Sequence, residues 1–454
     1  MEEILLCDLL KGIGVSKSPL AKISKISTNS RETGKDSVFV AVRGDKFDGN
    51  DFAEQALDNG AAAAIVSRSL SDDYRDRQIL VTNTKDALIA MAGNYRARFS
   101  PRTLAVTGSV GKTTTKEMTA AILEQFGETL KTRGNQNNEI GLPATLFEMN
   151  SKTKYAVLEM GMNGLGDIRK LTNAVRPQAA AITVIGVSHM ELLGSRENIL
   201  RAKLEITEGM PKNGILAING DDEMLLAARD SIPMETVTFA IDNSDSDIVA
   251  KDLMVRSLET EFTIEDKTNG TYEAKIPCAG RHNVMDALAA YAMTTRIGLD
   301  PQKCAQGLAN YRPTGMRQRF AEHNGVTVIE DCYNASPDSM YASLDTLSKL
   351  PVSGLKIAVL GDMLELGSIS QEAHKRLGIE MAALGIDILL CMGDEMLICA
   401  EAAKAAGLTS VEHFTDKREL SNYLKRTVHK GDVVMFKASR AMTFERIIEM
   451  FYED

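Results

Sequence analysis

The chain has no concentration of positive charge: 62 Asp and Glu outnumber 52 Lys and Arg, and no basic block interrupts the sequence. Sequence-independent nucleic-acid binding needs a positive face to neutralise phosphates, so that class of function is excluded. Six cysteines are scattered without a C-x-x-C pair, which argues against a disulfide framework or zinc site and for buried thiols in a reducing compartment. Apolar runs such as 61–66 and 179–187 fall well short of the roughly 18 residues a membrane span needs. The opening Met1-Glu2-Glu3 also lacks the basic start of a secretion signal. A soluble, cytoplasmic protein with no membrane insertion is expected. Internal repeats and low-complexity linkers are absent too.

What is present is length and alternation. At about 150 residues per domain, 454 residues predict three domains. In residues 1–83, strands at 37–42 and 61–66 flank a turn at Arg43-Gly44-Asp45 and a helix over 51–59, a small α/β module. In residues 84–312, apolar strands at 104–106, 155–158, 180–185 and 214–218 alternate with helices, which predicts a mostly parallel sheet. Residues 247–277 alternate like antiparallel strands before a helix near Asn283. In residues 313–454, strands at 326–329, 356–360, 388–392 and 432–436 predict a third, Rossmann-like α/β unit.

The most specific signal is Thr107-Gly108-Ser109-Val110-Gly111-Lys112-Thr113-Thr114, between a strand (104–106) and a helix-like run (116–126). A glycine turn leading into a helix N-terminus offers backbone N–H groups and the helix dipole to an anion. Lys112 adds a point charge for terminal phosphates, and Thr113 offers a hydroxyl to magnesium. Val106 stands where the full Walker pattern has its first glycine, so only the shorter G-x-x-G-K-T-T form is present. ATP and magnesium are the expected cofactors.

Three further residues carry weaker signals. Glu159 ends the strand 155–158, where a parallel sheet presents ligands, and can serve as a magnesium ligand or as a solvated carboxylate. His189 lies at the corresponding end of a later strand. Lys203, with Glu205, falls in a helical run over 197–209, where a surface face with salt-bridge partners is the plain expectation.

The succession TGSVGKTTTK, TRGNQNNEIGLP, LEMGMNGLGDI, SHMELLGS, ILRAKLEI, INGDD, GRHNVMDALAA, IEDCYNASPDSM, VLGDMLELG and KASRAM resembles the Mur ligase family over essentially the whole chain. The blocks 331–337 and 360–367 are similar to those of the branch that adds D-alanyl-D-alanine to UDP-N-acetylmuramoyl-tripeptide. The resemblance implies that Lys112 holds the β- and γ-phosphates, Thr113 and Glu159 share one magnesium, and His189 holds a second metal. It implies that Lys203 is carbamylated by carbon dioxide and helps hold that second metal. It further assigns Asn283 to adenine, Asp331 to the ribose and Arg317 to the phosphates. Tyr333, Asn334 and Ser336 fall to the dipeptide, and Asn137 and Asn138 to the substrate side. Residues 1–83 resemble a uridine-nucleotide-binding module, with Ser30 and Arg31 as contacts.

The chain departs from the family pattern at four places. Asn29 stands where Asp is common, Asn50 where His is, Asp286 where Asn is, and Ala438 where glycine usually follows the lysine. The implied reaction proceeds through an acyl phosphate, in a monomer. Two alternatives stay open: a sibling ligase adding another amino acid, although D-N-P-R is absent, and a non-catalytic nucleotide-binding partner on the same fold, although N-K-x-D is absent.

Overall fold

The computed structural model describes residues 1–15, 20–44, 46–256 and 258–453. Asp45, in the expected turn after Arg43, lies outside the described residues. Three larger sheets organise the described residues, beside a two-stranded antiparallel pair, Ile4–Leu5 with Lys22–Ile23. Strands Lys25–Ser27, Ser37–Val40, Ala63–Val66 and Gln78–Leu80 form a parallel sheet in sequence order. The helix expected over 51–59 divides into a 3-10 turn, Gly49–Phe52, capped by Asp48, and a helix Ala53–Asp58.

The central sheet has nine strands. Its strand Arg102–Thr107 runs parallel between Ala179–Ile182 and Tyr155–Glu159. These strands are buried on both faces, which explains why they read as continuous apolar runs. At the far side, Ile248–Arg256, Glu259–Asp266 and Gly270–Ile276 pair antiparallel, as the alternation in that segment predicts. The helix Arg281–Arg296 is apolar nearly all round because it is buried against this sheet and against the helix Lys112–Leu123. The strand expected over 180–185 ends at Ile182: the Thr183 hydroxyl turns to donate to the Val110 carbonyl, and Asn219 Nδ2 donates to the Thr183 carbonyl at 2.9 Å.

The third sheet runs Arg319–His323, Val326–Glu330, Val433–Lys437, Lys356–Gly361, Ile388–Met392 and Val411–Phe414, with only the first pair antiparallel. Its two outer strands have no counterpart in the sequence-based expectations. Both are edges and carry charged or polar residues on an exposed side, so neither shows a clean apolar pattern.

Candidate active site

The loop that follows Arg102–Thr107, the end of Tyr155–Glu159 and the segment after Ile182 leave the same edge of the central sheet side by side. That is the place where open α/β sheets bind ligands. A cavity of about 600 Å³ opens there, closed on its other side by residues 317–343 and Lys437 of the third unit. It brings together Ser109–Thr114, Asn137, Asn138, Glu159, His189, Asn283, Arg317, Asp331, Tyr333, Asn334 and Ser336.

Gly111 adopts φ +86 at the N-cap of the helix Lys112–Leu123, and a Cβ there would stand 2.2 Å from Asp286 Oδ1. Both the backbone conformation and the close approach therefore require glycine. Lys112 Nζ folds back on the loop, donating to the carbonyls of Gly108 (2.8 Å) and Ser109 (3.3 Å). Burial pushes its pKa down, opposed by Glu159 and Asp286. Thr113 Oγ1 donates to Glu159 Oε2 at 2.8 Å, and Asn137 Nδ2 donates to Glu159 Oε1 at 2.7 Å. Thr107 and Gly108 stand behind this array, outside the cavity lining, where the Thr107 hydroxyl donates to the Met160 carbonyl at 3.0 Å.

His189 sits in the left-handed region, φ +64, at the turn before Met190. Its Nδ1 is buried without a hydrogen-bond partner among the described residues, and Glu365 Oε2 lies 3.5 Å away. Burial, then the charges of Lys112 and Lys203, push its pKa down to about 4, so the imidazole is neutral at pH 7 with a free lone pair. Lys203 corrects the expectation of a surface face: its helix, Arg196–Leu204, turns it inward, and the residue is 1% exposed. Glu205 is buried as well and accepts from the N–H groups of Gly166 and Arg169. Lys203 Nζ makes no hydrogen bond or ion pair among the described residues. Burial and the Lys112 charge hold its pKa well below the usual lysine range. Lys203 is not part of the cavity lining.

From the third unit, the Arg317 guanidinium stacks 3.8 Å over the Tyr333 ring, and burial raises the Tyr333 pKa. Asp331 is already engaged: it accepts from Lys437 Nζ (2.7 Å), Ser343 Oγ (2.5 Å) and the Gln318 N–H (3.3 Å). Asn283 Nδ2 donates to the Ala279 carbonyl and to Gln318 Oε1, both at 2.7 Å. Ser336 caps the helix Pro337–Lys349. Lys437, Gln318 and Asp286 line the cavity without having been singled out as ligands from sequence. Lys437 had a readable signal, a charge at the carboxyl end of a parallel strand.

Ser30 and Arg31 lie away from the cavity, on the first sheet's flank, where Ser30 Oγ donates to Gln55 Oε1 at 3.1 Å. Asn50, one of the four departures, is buried and bridges Asp48 to Ser67. Ala438 is buried and keeps a backbone conformation outside the positive-φ set, so its extra methyl is accommodated.

The donor set fits magnesium. A hydroxyl and a carboxylate 2.8 Å apart are hard oxygen ligands, and a buried imidazole with an orphaned nitrogen stands in the same cavity. Among the described residues no group of three His, Cys, Asp or Glu could hold a metal unaided.

Three family models match: Mur ligase family, catalytic domain, over residues 22–96; Mur ligase middle domain, over 106–294; and Mur ligase, glutamate ligase domain, over 316–440. The chain belongs to the Mur ligase family. It is 39% identical to the UDP-N-acetylmuramoyl-tripeptide--D-alanyl-D-alanine ligase of Bacillus subtilis, over 95% of this chain and 93% of that protein. It is 36% identical to the Escherichia coli ligase of the same name, over 95% and 94% of the two chains. Among solved structures, MurF from Acinetobacter baumannii superposes with a TM-score of 0.91 at 30% identity, covering both chains in full. MurF from Thermotoga maritima in complex with ADP superposes at 0.84 with 32% identity, covering 94% of this chain and 97% of that one. The three-unit α/β architecture is that of the family.

Proposed function

We propose that this Mur ligase joins D-alanyl-D-alanine to UDP-N-acetylmuramoyl-tripeptide, with hydrolysis of ATP to ADP, forming the pentapeptide precursor of peptidoglycan. The observation that carries the reading is a single cavity with Lys112, Thr113 and Glu159 of the central sheet on one wall and Arg317, Tyr333 and Asn334 of the third unit on the other. Near full-length likeness to ligases of that name supports the choice of substrates. Ligases of the family with other substrates, such as the UDP-N-acetylmuramate-alanine ligase of Thermotoga maritima, share the fold at 18% identity.

The residues take the following roles. The phosphate loop, Thr107 to Thr114, and Lys112 bind the β- and γ-phosphates, and Arg317 approaches them from the third unit. Thr113 and Glu159 hold one magnesium, and His189 with carbamylated Lys203 a second. Bound magnesium neutralises phosphate charge and makes the γ-phosphorus a better electrophile. A buried, neutral lysine amine is nucleophilic toward carbon dioxide: its nitrogen forms the new C–N bond as one C=O π pair moves onto oxygen, one proton leaves, and an anionic carbamate replaces the neutral amine. Asn283 and Asp331 take adenine and ribose. Asn137 and Asn138 face the tripeptide, Tyr333, Asn334 and Ser336 the dipeptide, and Ser30 and Arg31 the uridine nucleotide.

The tripeptide's terminal carboxylate attacks the γ-phosphorus, and ADP leaves with the bonding pair of the bridging oxygen. The dipeptide amine then attacks the acyl phosphate carbonyl, loses a proton through the tetrahedral intermediate, and expels phosphate. No protein nucleophile is required, so the chain works by orientation and electrostatics. No helix among the described residues is long and apolar enough to cross a membrane. The proposed site of action is the cytoplasm, where ATP and a uridine-nucleotide substrate are both supplied.

The test is ADP release with UDP-muramoyl-tripeptides carrying lysine or diaminopimelate, each with and without D-alanyl-D-alanine. Turnover with at least one tripeptide that requires the dipeptide is expected. Turnover supported equally by unrelated amino acids would overturn the assignment.

A further inference from the structure

One fully buried cation near the cavity has no role in the mechanism above. Lys116 lies one helical turn beyond Lys112 in the helix Lys112–Leu123 and is 0% exposed. Its ammonium donates to the Thr132 carbonyl at 2.7 Å and the Gly134 carbonyl at 3.4 Å. It pairs with Glu117 Oε1 at 2.8 Å and stands 4.0 Å from Glu159 Oε2. Glu117 is in turn held by Lys131 at 2.8 Å. Burying an ammonium is costly unless its donors are satisfied, and a methionine could fill the same volume without that cost. Lys116 is therefore poorly explained by packing alone.

Its partners point to what it does. The segment 132–138 crosses from the strand Thr129–Lys131 into the cavity wall, and it touches Glu159 twice. Thr132 Oγ1 accepts from the Glu159 N–H at 2.9 Å, and Asn137 Nδ2 donates to Glu159 Oε1. The segment is tied to the neighbouring strand end as well, since the Asn137 carbonyl accepts from the Gly161 N–H at 2.9 Å. One ammonium thus links the helix that carries Thr113, the segment that carries Asn137, and the strand end that carries Glu159.

We propose that Lys116 is a positioning residue that clamps segment 132–138 to the phosphate-loop helix, so that Asn137 and Thr113 together orient Glu159 for a magnesium–nucleotide complex. This rests on the assignment of Thr113 and Glu159 to magnesium. Lys116 touches neither nucleotide nor metal; it fixes the carboxylate that does.

The experiment measures ADP binding to the full chain by calorimetry, with and without magnesium, alongside thermal unfolding. The proteins are wild type, Lys116→Met, Asn137→Ala and the double variant. In wild type, magnesium should tighten ADP binding. Lys116→Met should lose about tenfold of that tightening, while affinity for magnesium-free ADP changes by less than about threefold. Asn137→Ala should show the same selective loss, and the double variant should be no worse than either single one, because both changes release the same carboxylate. If Lys116→Met does not fold, Lys116→Gln, which keeps a donor for Thr132 without the charge, is read in its place. A neutral Lys116 variant that keeps the wild-type magnesium effect, or losses that multiply in the double variant, would overturn the proposal. A fall in melting temperature alone, with the magnesium effect intact, would do the same. A wild-type protein that binds ADP without any magnesium effect would instead overturn the metal assignment on which the proposal stands.

Discussion

The hydroxyl of Thr113 donates to Glu159 Oε2 across 2.8 Å, joining the first turn of the phosphate-loop helix to the end of the neighbouring parallel strand. Two segments separated by 46 residues in sequence thereby present one hydroxyl and one carboxylate to the same point. Removing the hydroxyl should loosen that point without emptying a core position. Thr113→Val is expected to lower kcat/KM for ATP by roughly tenfold to a hundredfold and to raise the magnesium concentration needed for half-maximal rate. Steady-state titrations with magnesium at fixed ATP read both.

Lys112 reaches only backbone carbonyls of its own loop, so its truncation should spare the fold. Lys112→Ala is expected to reduce ATP turnover on the order of 10³-fold or more, with an unchanged far-UV spectrum. A folded variant that turns over at the wild-type rate would remove the phosphate-loop assignment.

Lys203 offers a sharper chemical test, because the residue is buried and its amine is shifted toward its neutral form. Lys203→Ala should lose most activity, and a short carboxylic acid should restore part of it by supplying the missing anion. Lys203→Arg should stay inactive, since a guanidinium remains cationic and does not take up carbon dioxide. An active Lys203→Arg enzyme would reduce Lys203 to a simple positive contact.

Asp286 links the site to stability. Burial raises its carboxyl from an ordinary 3.8 to about 8, against the Thr115 hydrogen bond and the charges of Arg317 and Lys112. Across that window the folded protein keeps a proton that the unfolded chain releases, so the stability this group supplies at low pH is lost as pH rises toward about 8. Asp286→Asn removes the titration. Its melting temperature should exceed the wild-type value by a margin that widens from about pH 4 to 8 and then levels off. Thermal unfolding across that range measures the margin, and a margin independent of pH would contradict the assignment.

The sequence made legible those features whose chemistry is local. The glycine turn before Lys112 and the buried strands around it carry their own signals, and Glu159 could be placed from its strand end alone. Where a charge is buried by tertiary contact, the local pattern misleads. The helix Arg196–Leu204 is polar enough to read as a surface element, and nothing within it shows that Lys203 faces inward. Lys116 has the same disguise among the threonines that follow Lys112. The Arg317–Tyr333 stack and the Asp331–Lys437 pair depend on how the third unit folds back on itself, a relationship no spacing encodes. Edge strands were lost because half their residues meet water. The first unit shows the converse: Ser30 and Arg31 stand apart from the cavity, so a uridine-nucleotide role for them requires a substrate long enough to span the two.

The central claim is that the cavity activates a carboxylate by phosphorylation before the dipeptide arrives. Wild-type protein with ATP, magnesium, UDP-muramoyl-tripeptide and hydroxylamine, but no D-alanyl-D-alanine, should yield ADP together with a peptide hydroxamate. Release of AMP and pyrophosphate, or no hydroxamate from a preparation that is active with the full substrate set, would contradict it.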